Sequence, residues 1–165
     1  STDQRTHVSH LISQLNQTGQ DVRQLSHQMM PRSLSELGLE AALEDLFWLS
    51  FSQTPIQLAV HIDPALCPMD NDSKIALYRI AQEAVNNILK HAEATSVEVI
   101  LKSNDSEVTM SIADNGLGMP SDAVHSLGMQ SMASRARLCN GQFWARPNSG
   151  GGLTLEVRLP VTKGL

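Results

Sequence analysis

No cluster of lysine and arginine occurs anywhere in this 165-residue sequence, and its formal charge of −5 removes the basic stripe that a nucleic-acid surface needs. Cysteine is scarce. Cys67 and Cys139 stand apart, without metal-ligand spacing, and read as reduced thiols of a cytosolic protein rather than as a disulfide. No stretch has the organisation of a signal peptide or the apolar run needed to span a bilayer, so the chain is expected in the cytoplasm, with any membrane anchor outside it. There is no internal repeat. What is present is a 41% share of hydrophobic residues, enough for one domain and an appendage.

The informative segment is Glu83, Ala84, Val85, Asn86, Asn87, Ile88, Leu89, Lys90, His91, followed downstream by Asp114-Asn115-Gly116-Leu117-Gly118. Residues four apart on a helix share a face, so Glu83 and Asn87 can point into one cavity, with Lys90 one turn beyond, beside Asn87. Magnesium prefers oxygen ligands and draws most of them from water and substrate phosphates, so the side-chain carbonyl of Asn87 suffices as an anchor and Lys90 can meet a phosphate. Asp114 ends an alternating run, Val108, Met110, Ile112, that predicts a half-buried strand. A carboxylate there can accept a hydrogen bond from an exocyclic amine such as that of adenine. Gly116 and Gly118 let backbone approach a ligand closely. Singly, each signal has a plainer reading: Asp-Asn-Gly as a turn, Glu83 and Asn87 as a solvated helix face.

Together and in order, the blocks resemble the catalytic ATP-binding region of a sensor histidine kinase, of the subfamily that pairs with helix-turn-helix response regulators, within the Bergerat-type ATPase superfamily. Gln82-Glu83-Ala84, Asn87 and Lys90-His91 resemble its N box, and Asp114 to Pro120 its G1 box. His125-Ser126-Leu127-Gly128-Met129, Met132, Arg135 and Asn140-Gly141 resemble the G2 region and the helix behind it. Gly150-Gly151-Gly152-Leu153-Thr154 with Leu155 to Pro160 resembles the closing glycine turn and last strand, so the similarity covers nearly all of residues 22 to 161. Two positions depart from the pattern: Ser126 stands where glycine is usual, and Asn140 where the first glycine of a pair is common, asparagine being the best substitute at a left-handed helix end. The segment from Ser121 to Leu127 is short, as in the compact lid of this subfamily.

The resemblance implies Glu83 as the general base that draws a proton from an attacking imidazole or water, Asn87 as the magnesium ligand, and Lys90 and His91 as phosphate contacts. Asp114 would take the adenine amine, with Gly116 and Gly118 beside it. Gly128, opening a helix, would offer backbone amides to phosphate oxygens. Met129 and Thr154 complete the nucleotide set, although Met129 with Met132 also reads as core, and Thr154 as an ordinary strand threonine. Trp48 and Trp144 read as core or interface aromatics. The implied function is transfer of the γ-phosphoryl of magnesium ATP to a histidine, for relay to a response-regulator receiver domain. Two alternatives stand beside it: a degenerate nucleotide-binding or dimerisation module without kinase activity, and another ATPase or serine kinase of the same superfamily.

Val8, Leu15, Val22 and Met29 recur every seven residues, with Leu11, Thr18 and Leu25 between them, which fits an a/d heptad over about three repeats and a seam that wants a partner helix. Pro31 stops it. In the resembling family this seam is the second helix of a dimerisation and histidine-phosphotransfer bundle, so residues 1–31 are expected as part of that bundle, forming a homodimer, and residues 32–165 as the ATP-binding catalytic domain. The family's phosphorylated histidine is followed by Asp on a preceding helix. None of the six histidines here has that setting, so the acceptor is expected outside this chain.

Ser33 with Glu36 forms a candidate capping box for a helix through Leu39, Leu43, Leu46 and Phe47. A strand is predicted at Ile56 to Ile62, then a long helix capped by Asn71 or Asp72 that turns Tyr78, Ala81, Val85, Ile88 and Leu89 inward. Strands near Ser96 to Leu101 and Glu107 to Ala113, a helix from Gly128 to Leu138, and strands at Gln142 to Arg146 and Leu153 to Leu159 follow. The expected fold is α+β: a two-layer sandwich with a mixed, largely antiparallel sheet covered by helices on one face, preceded by a long N-terminal helix.

Overall fold

In the computed structural model, which describes residues 31–119 and 126–161, the chain enters as a short helix α1 (Arg32–Leu37) and turns at Gly38 into α2 (Leu39–Phe51). Gly38 has a φ of +83°, a value that L side chains rarely adopt, and this is what breaks the segment into two helices. The expected capping box is therefore not formed. Ser33 lies inside α1 with its hydroxyl on the Tyr78 hydroxyl at 3.2 Å, and Glu36 pairs with Arg32 at 2.7 Å. The heptad segment lies outside the described residues.

Strand β1 (Gln57–Ile62) leads to the long helix α3 (Asn71–Asn87). Its cap is Asp70, one residue before the expected pair: the carboxylate accepts from the Ser73 N–H at 2.7 Å, satisfying one of the orphan donors of the first turn. The helix ends in a π turn, Ile88–Ala92. That turn departs from the 3.6-residue period, so Tyr78, Ala81, Val85 and Ile88 are buried as expected while Leu89 is 44% exposed.

Strands β2 (Ser96–Ser103) and β3 (Glu107–Asp114) form a hairpin whose turn is held by Asn104, its side-chain oxygen accepting from the N–H groups of Ser106 and Glu107. Helix α4 (Leu127–Leu138), β4 (Gln142–Pro147) and β5 (Leu153–Pro160) complete the described chain. Asn140 after α4 has a φ of +55°, the left-handed helix exit read from the sequence.

The five strands pair in the order β1-β2-β3-β5-β4. Only β1 and β2 are parallel, joined through α3 as a parallel pair requires, and the remaining pairings are antiparallel. Alternation along the strands buries one face: Val97, Val99 and Leu101 on β2, Val108, Met110 and Ile112 on β3, Leu155, Val157 and Leu159 on β5. Against it α3 and α4 pack Leu77, Ile80, Ala84, Met132 and Ala136, and α2 adds Leu39, Leu43 and Phe47. Each large side chain buried there contributes about 1.5–3 kcal/mol. The architecture is thus the α+β sandwich expected. Of the two tryptophans, Trp48 is 53% exposed on α2, and Trp144 lies under the guanidinium groups of Arg146 and Arg158 at 5.2 and 5.0 Å from its ring centre, so neither is a core residue.

Candidate active site

A cavity of about 860 Å³ opens between the end of α3 with its π turn, the ends of β3 and β5, and the first turn of α4. Glu83, Asn87, Lys90, His91, Asp114, Gly118, Gly128 and Met129 line it, so eight of the ten expected site residues share one enclosure; Gly116 and Thr154 do not. Asn87 and Asp114, distant in sequence, stand on the same cavity.

The helical wall comes from periodicity. Glu83 and Asn87 are half-buried on the same face of α3, as the four-residue spacing demands. Lys90 and His91 follow in the π turn and are exposed at the cavity mouth. The α-helical register used to set Lys90 beside Asn87 therefore ends at Asn87, because i→i+5 bonding widens the turn. Two arginines are coupled to this wall, Arg135 of the helix behind the G2 region and Arg79, which the sequence does not single out: burial first, then the Arg79 charge, push the Arg135 guanidinium below its ordinary pKa, and the Glu83 carboxylate acts in the opposite sense.

The strand-end wall is built by backbone contacts. Asp114 is 7% exposed, and its Oδ1 accepts the Gly116 N–H at 2.8 Å, an Asx turn that orients the carboxylate and leaves Oδ2 for another donor. Asp114 thus makes the turn and still keeps an acceptor oxygen. Asn115 ties the loop to the start of β2, its Oδ1 accepting from the N–H groups of Thr95 and Ser96 at 2.9 Å. Gly116 serves a different purpose from the one expected: a Cβ there would lie 1.9 Å from the Ala92 carbonyl oxygen, so the glycine lets the loop close on the π turn, where the Leu117 N–H reaches the same oxygen at 2.8 Å. Gly118, with φ +77°, is the glycine that faces the cavity.

Gly128 lies in the first turn of α4, one residue after the helix begins. A Cβ at this position would meet the Glu83 carboxylate at 2.3 Å, so its absence lets α3 and α4 close around that group. Ser126 is the N-cap, accepting from the Met129 N–H at 3.4 Å, and it lines the cavity itself. Thr154 does not line the cavity. On β5 the residues facing the cavity are Leu153 and Leu155, and the alternation of a strand turns Thr154 to the other face, where its hydroxyl donates to Asn148 Oδ1 at 2.6 Å. Leu153, Leu155 and Ile112 give the strand side an apolar floor. Strand parity was the signal that could have found them.

For a divalent metal the α3 face of the cavity offers two hard oxygen donors, the Asn87 amide and the Glu83 carboxylate. Among the described residues no group of three His, Cys, Asp or Glu stands together. That set fits a cation taking most of its ligands from water and phosphate, as magnesium does. An apolar floor with a few convergent polar groups is the usual form of a small-molecule site.

Residues 72–163 match the family of histidine kinase-, DNA gyrase B- and HSP90-like ATPases. The chain is 32% identical over 154 residues to the sensor histidine kinase MctS of Rhizobium johnstonii, covering 90% of this chain and 33% of that protein. It is 35% identical over 147 residues to the oxygen sensor histidine kinase NreB of Staphylococcus carnosus, covering 86% and 42%. With the nitrate/nitrite sensor protein NarX of Escherichia coli it shares 33% identity over 155 residues, covering 91% and 25%. The chain spans less than half the length of each of these curated relatives. Among solved structures, the ATP-binding domain of PrrB from Mycobacterium tuberculosis superposes with a TM-score of 0.59 at 24% identity, covering 76% of this chain and 92% of that one, a likeness of fold.

Proposed function

The chain belongs to the histidine kinase-, DNA gyrase B- and HSP90-like ATPase family, in the ATP-binding form carried by sensor histidine kinases, and we propose that it transfers the γ-phosphoryl of magnesium ATP to a histidine imidazole. The observation that carries the proposal is the single cavity holding Glu83, Asn87 and Asp114 together.

In this reading Asp114 Oδ2 accepts from the adenine amine while Oδ1 stays on the Gly116 N–H, so the base is read by an acceptor already fixed in place. Leu153, Leu155 and Ile112 pack against the purine. The Asn87 carbonyl oxygen would hold the magnesium ion, and Lys90 and His91, at the open end, meet phosphate oxygens. Magnesium held there would neutralise phosphate charge. Glu83 takes the proton from the attacking imidazole nitrogen as that nitrogen bonds to the γ-phosphorus and the bond to the β-γ bridging oxygen breaks, with ADP leaving. Alignment supplies most of the rate, because little covalent work is left to the protein.

The proposal extends to the partners, and the kinship with sensor histidine kinases supports it. A response-regulator receiver aspartate takes the phosphoryl group onward, and residues 1–31 join two copies as part of the dimerisation bundle. The acceptor histidine is outside this chain's own six, and the module works in the cytoplasm, where its nucleotide is; no described helix is long and apolar enough to cross a membrane. Calorimetric titration with magnesium ATP is expected to saturate, and Asp114→Asn to weaken binding by roughly tenfold or more. Incubated with labelled ATP, the chain is expected to stay unlabelled yet to phosphorylate a supplied acceptor helix. Absence of saturable binding, or binding unchanged in Asp114→Asn, defeats the reading.

A further inference from the structure

Strand β3 stops pairing with β5 at Ala113 opposite Thr154, one residue short of Asp114. The Asp114 carbonyl is capped by a side chain from another segment: Asn148, at the end of β4, donates from Nδ2 to that oxygen at 2.9 Å. The orientation of the amide is forced. A carbonyl can only accept, so Nδ2 must face Asp114, and Oδ1 then faces Thr154, whose hydroxyl donates to it at 2.6 Å. Asn148 also closes the glycine turn, its N–H on the Gly152 oxygen at 3.1 Å and its carbonyl accepting from Gly151 at 3.2 Å. Gly152 lies so close beneath that a Cβ on it would stand 2.0 Å from the same Asp114 oxygen.

Asp114 is therefore held twice, at its carboxylate by Gly116 and at its carbonyl by Asn148. We infer that Asn148, locked by the Thr154 hydroxyl, is a positioning residue that aims the Asp114 carboxylate at the amine of a purine and so sets the preference for adenine. This rests on the reading of Asp114 as the adenine acceptor. A fixed acceptor rejects a base that presents an oxygen in place of the amine, because two acceptors then face each other without a proton; an acceptor free to swing loses that selectivity. Thr154 thus contributes to the nucleotide site through Asn148, from the opposite face of the sheet.

The test is the ratio of affinities for magnesium ATP and magnesium ITP, measured by calorimetry on the whole chain, with urea unfolding as the control for folding. ATP is expected to be preferred by on the order of a hundredfold. Asn148→Ala is expected to weaken ATP by roughly tenfold while ITP changes by less than about twofold. Asn148→Asp, of the same size, places an oxygen against the Asp114 carbonyl and is expected to be worse than alanine. Thr154→Val is expected to lose about threefold of the preference and Thr154→Ser to keep it, a pair that decides the question even where Asn148→Ala is poorly folded. A merely structural role would lower both nucleotides equally and leave the ratio unmoved, which overturns the inference. Asp114→Asn separates the two failures. If it keeps the preference for ATP, the adenine reading itself falls; if it erases the preference while Asn148→Ala and Thr154→Val do not, only the role of Asn148 falls.

Discussion

The helical wall of the cavity, from Glu83 to His91, is placed by a period running through consecutive residues, whereas the strand-end wall at Asp114 is placed by backbone atoms of three segments that meet only in the folded chain. On the first wall the side chains face the cavity because the helix turns them there, and neighbouring side chains can change without moving the backbone. On the second, the Gly116 loop closes on Ala92, Gly152 closes on Asp114, and Asn148 bridges the remainder. Chemistry on the helical wall is thus separable from folding, and at the two glycine contacts of the strand-end wall it is not.

The largest expected effect lies on the strand-end wall. Gly152→Ala puts a Cβ 2.0 Å from the Asp114 oxygen at a backbone φ of +89°, and no flexible side chain is there to yield. Overpacking and a strained φ together cost about 3 kcal/mol or more. Urea unfolding and ATP titration are expected to fall together. A Gly152→Ala variant of wild-type stability that merely lost ATP would show that this contact, too, separates chemistry from folding.

Asn87→Ala probes the opposite case. Asn87 is half-buried and makes no hydrogen bond to another described side chain, so stability is expected to stay within about 0.5 kcal/mol of wild type. What is expected to disappear is the strengthening of ATP binding by magnesium, roughly a tenfold effect, read by comparing titrations in magnesium and in EDTA. Magnesium still strengthening binding in the variant would remove Asn87 from the metal site.

The same contrast explains what the sequence revealed. Glu83 and Asn87 were legible because a four-residue spacing on a helix is local information, and β3 because Val108, Met110 and Ile112 alternate. Leu89 was misread inward because nothing in Ile88-Leu89-Lys90-His91 announces a π turn, which is formed where the G1 loop closes on Ala92. Gly116 was recognised as special but given the wrong neighbour, since a glycine marks a close approach without naming the approaching atom. The outward place of Thr154 was legible too, since Leu153, Leu155, Val157 and Leu159 alternate with polar residues and take the buried face. Asn148 and its carbonyl partner were invisible, because a cap on a strand end exists only once the sheet register is known.

The smallest effect tests whether the helical wall depends on the far end of its own helix. Asp70 caps α3 at the Ser73 N–H, and Asp70→Ala removes a cap worth about 1 kcal/mol, with the urea midpoint expected to fall accordingly. Fraying at an N-terminus is confined to the first turn, and the core contacts of Leu77, Ile80 and Ala81 separate that turn from Glu83. Magnesium-ATP affinity is therefore expected to stay within about twofold of wild type. If affinity falls in step with stability, the helix transmits disorder along its length, and the helical wall is as dependent on the whole fold as the strand-end wall.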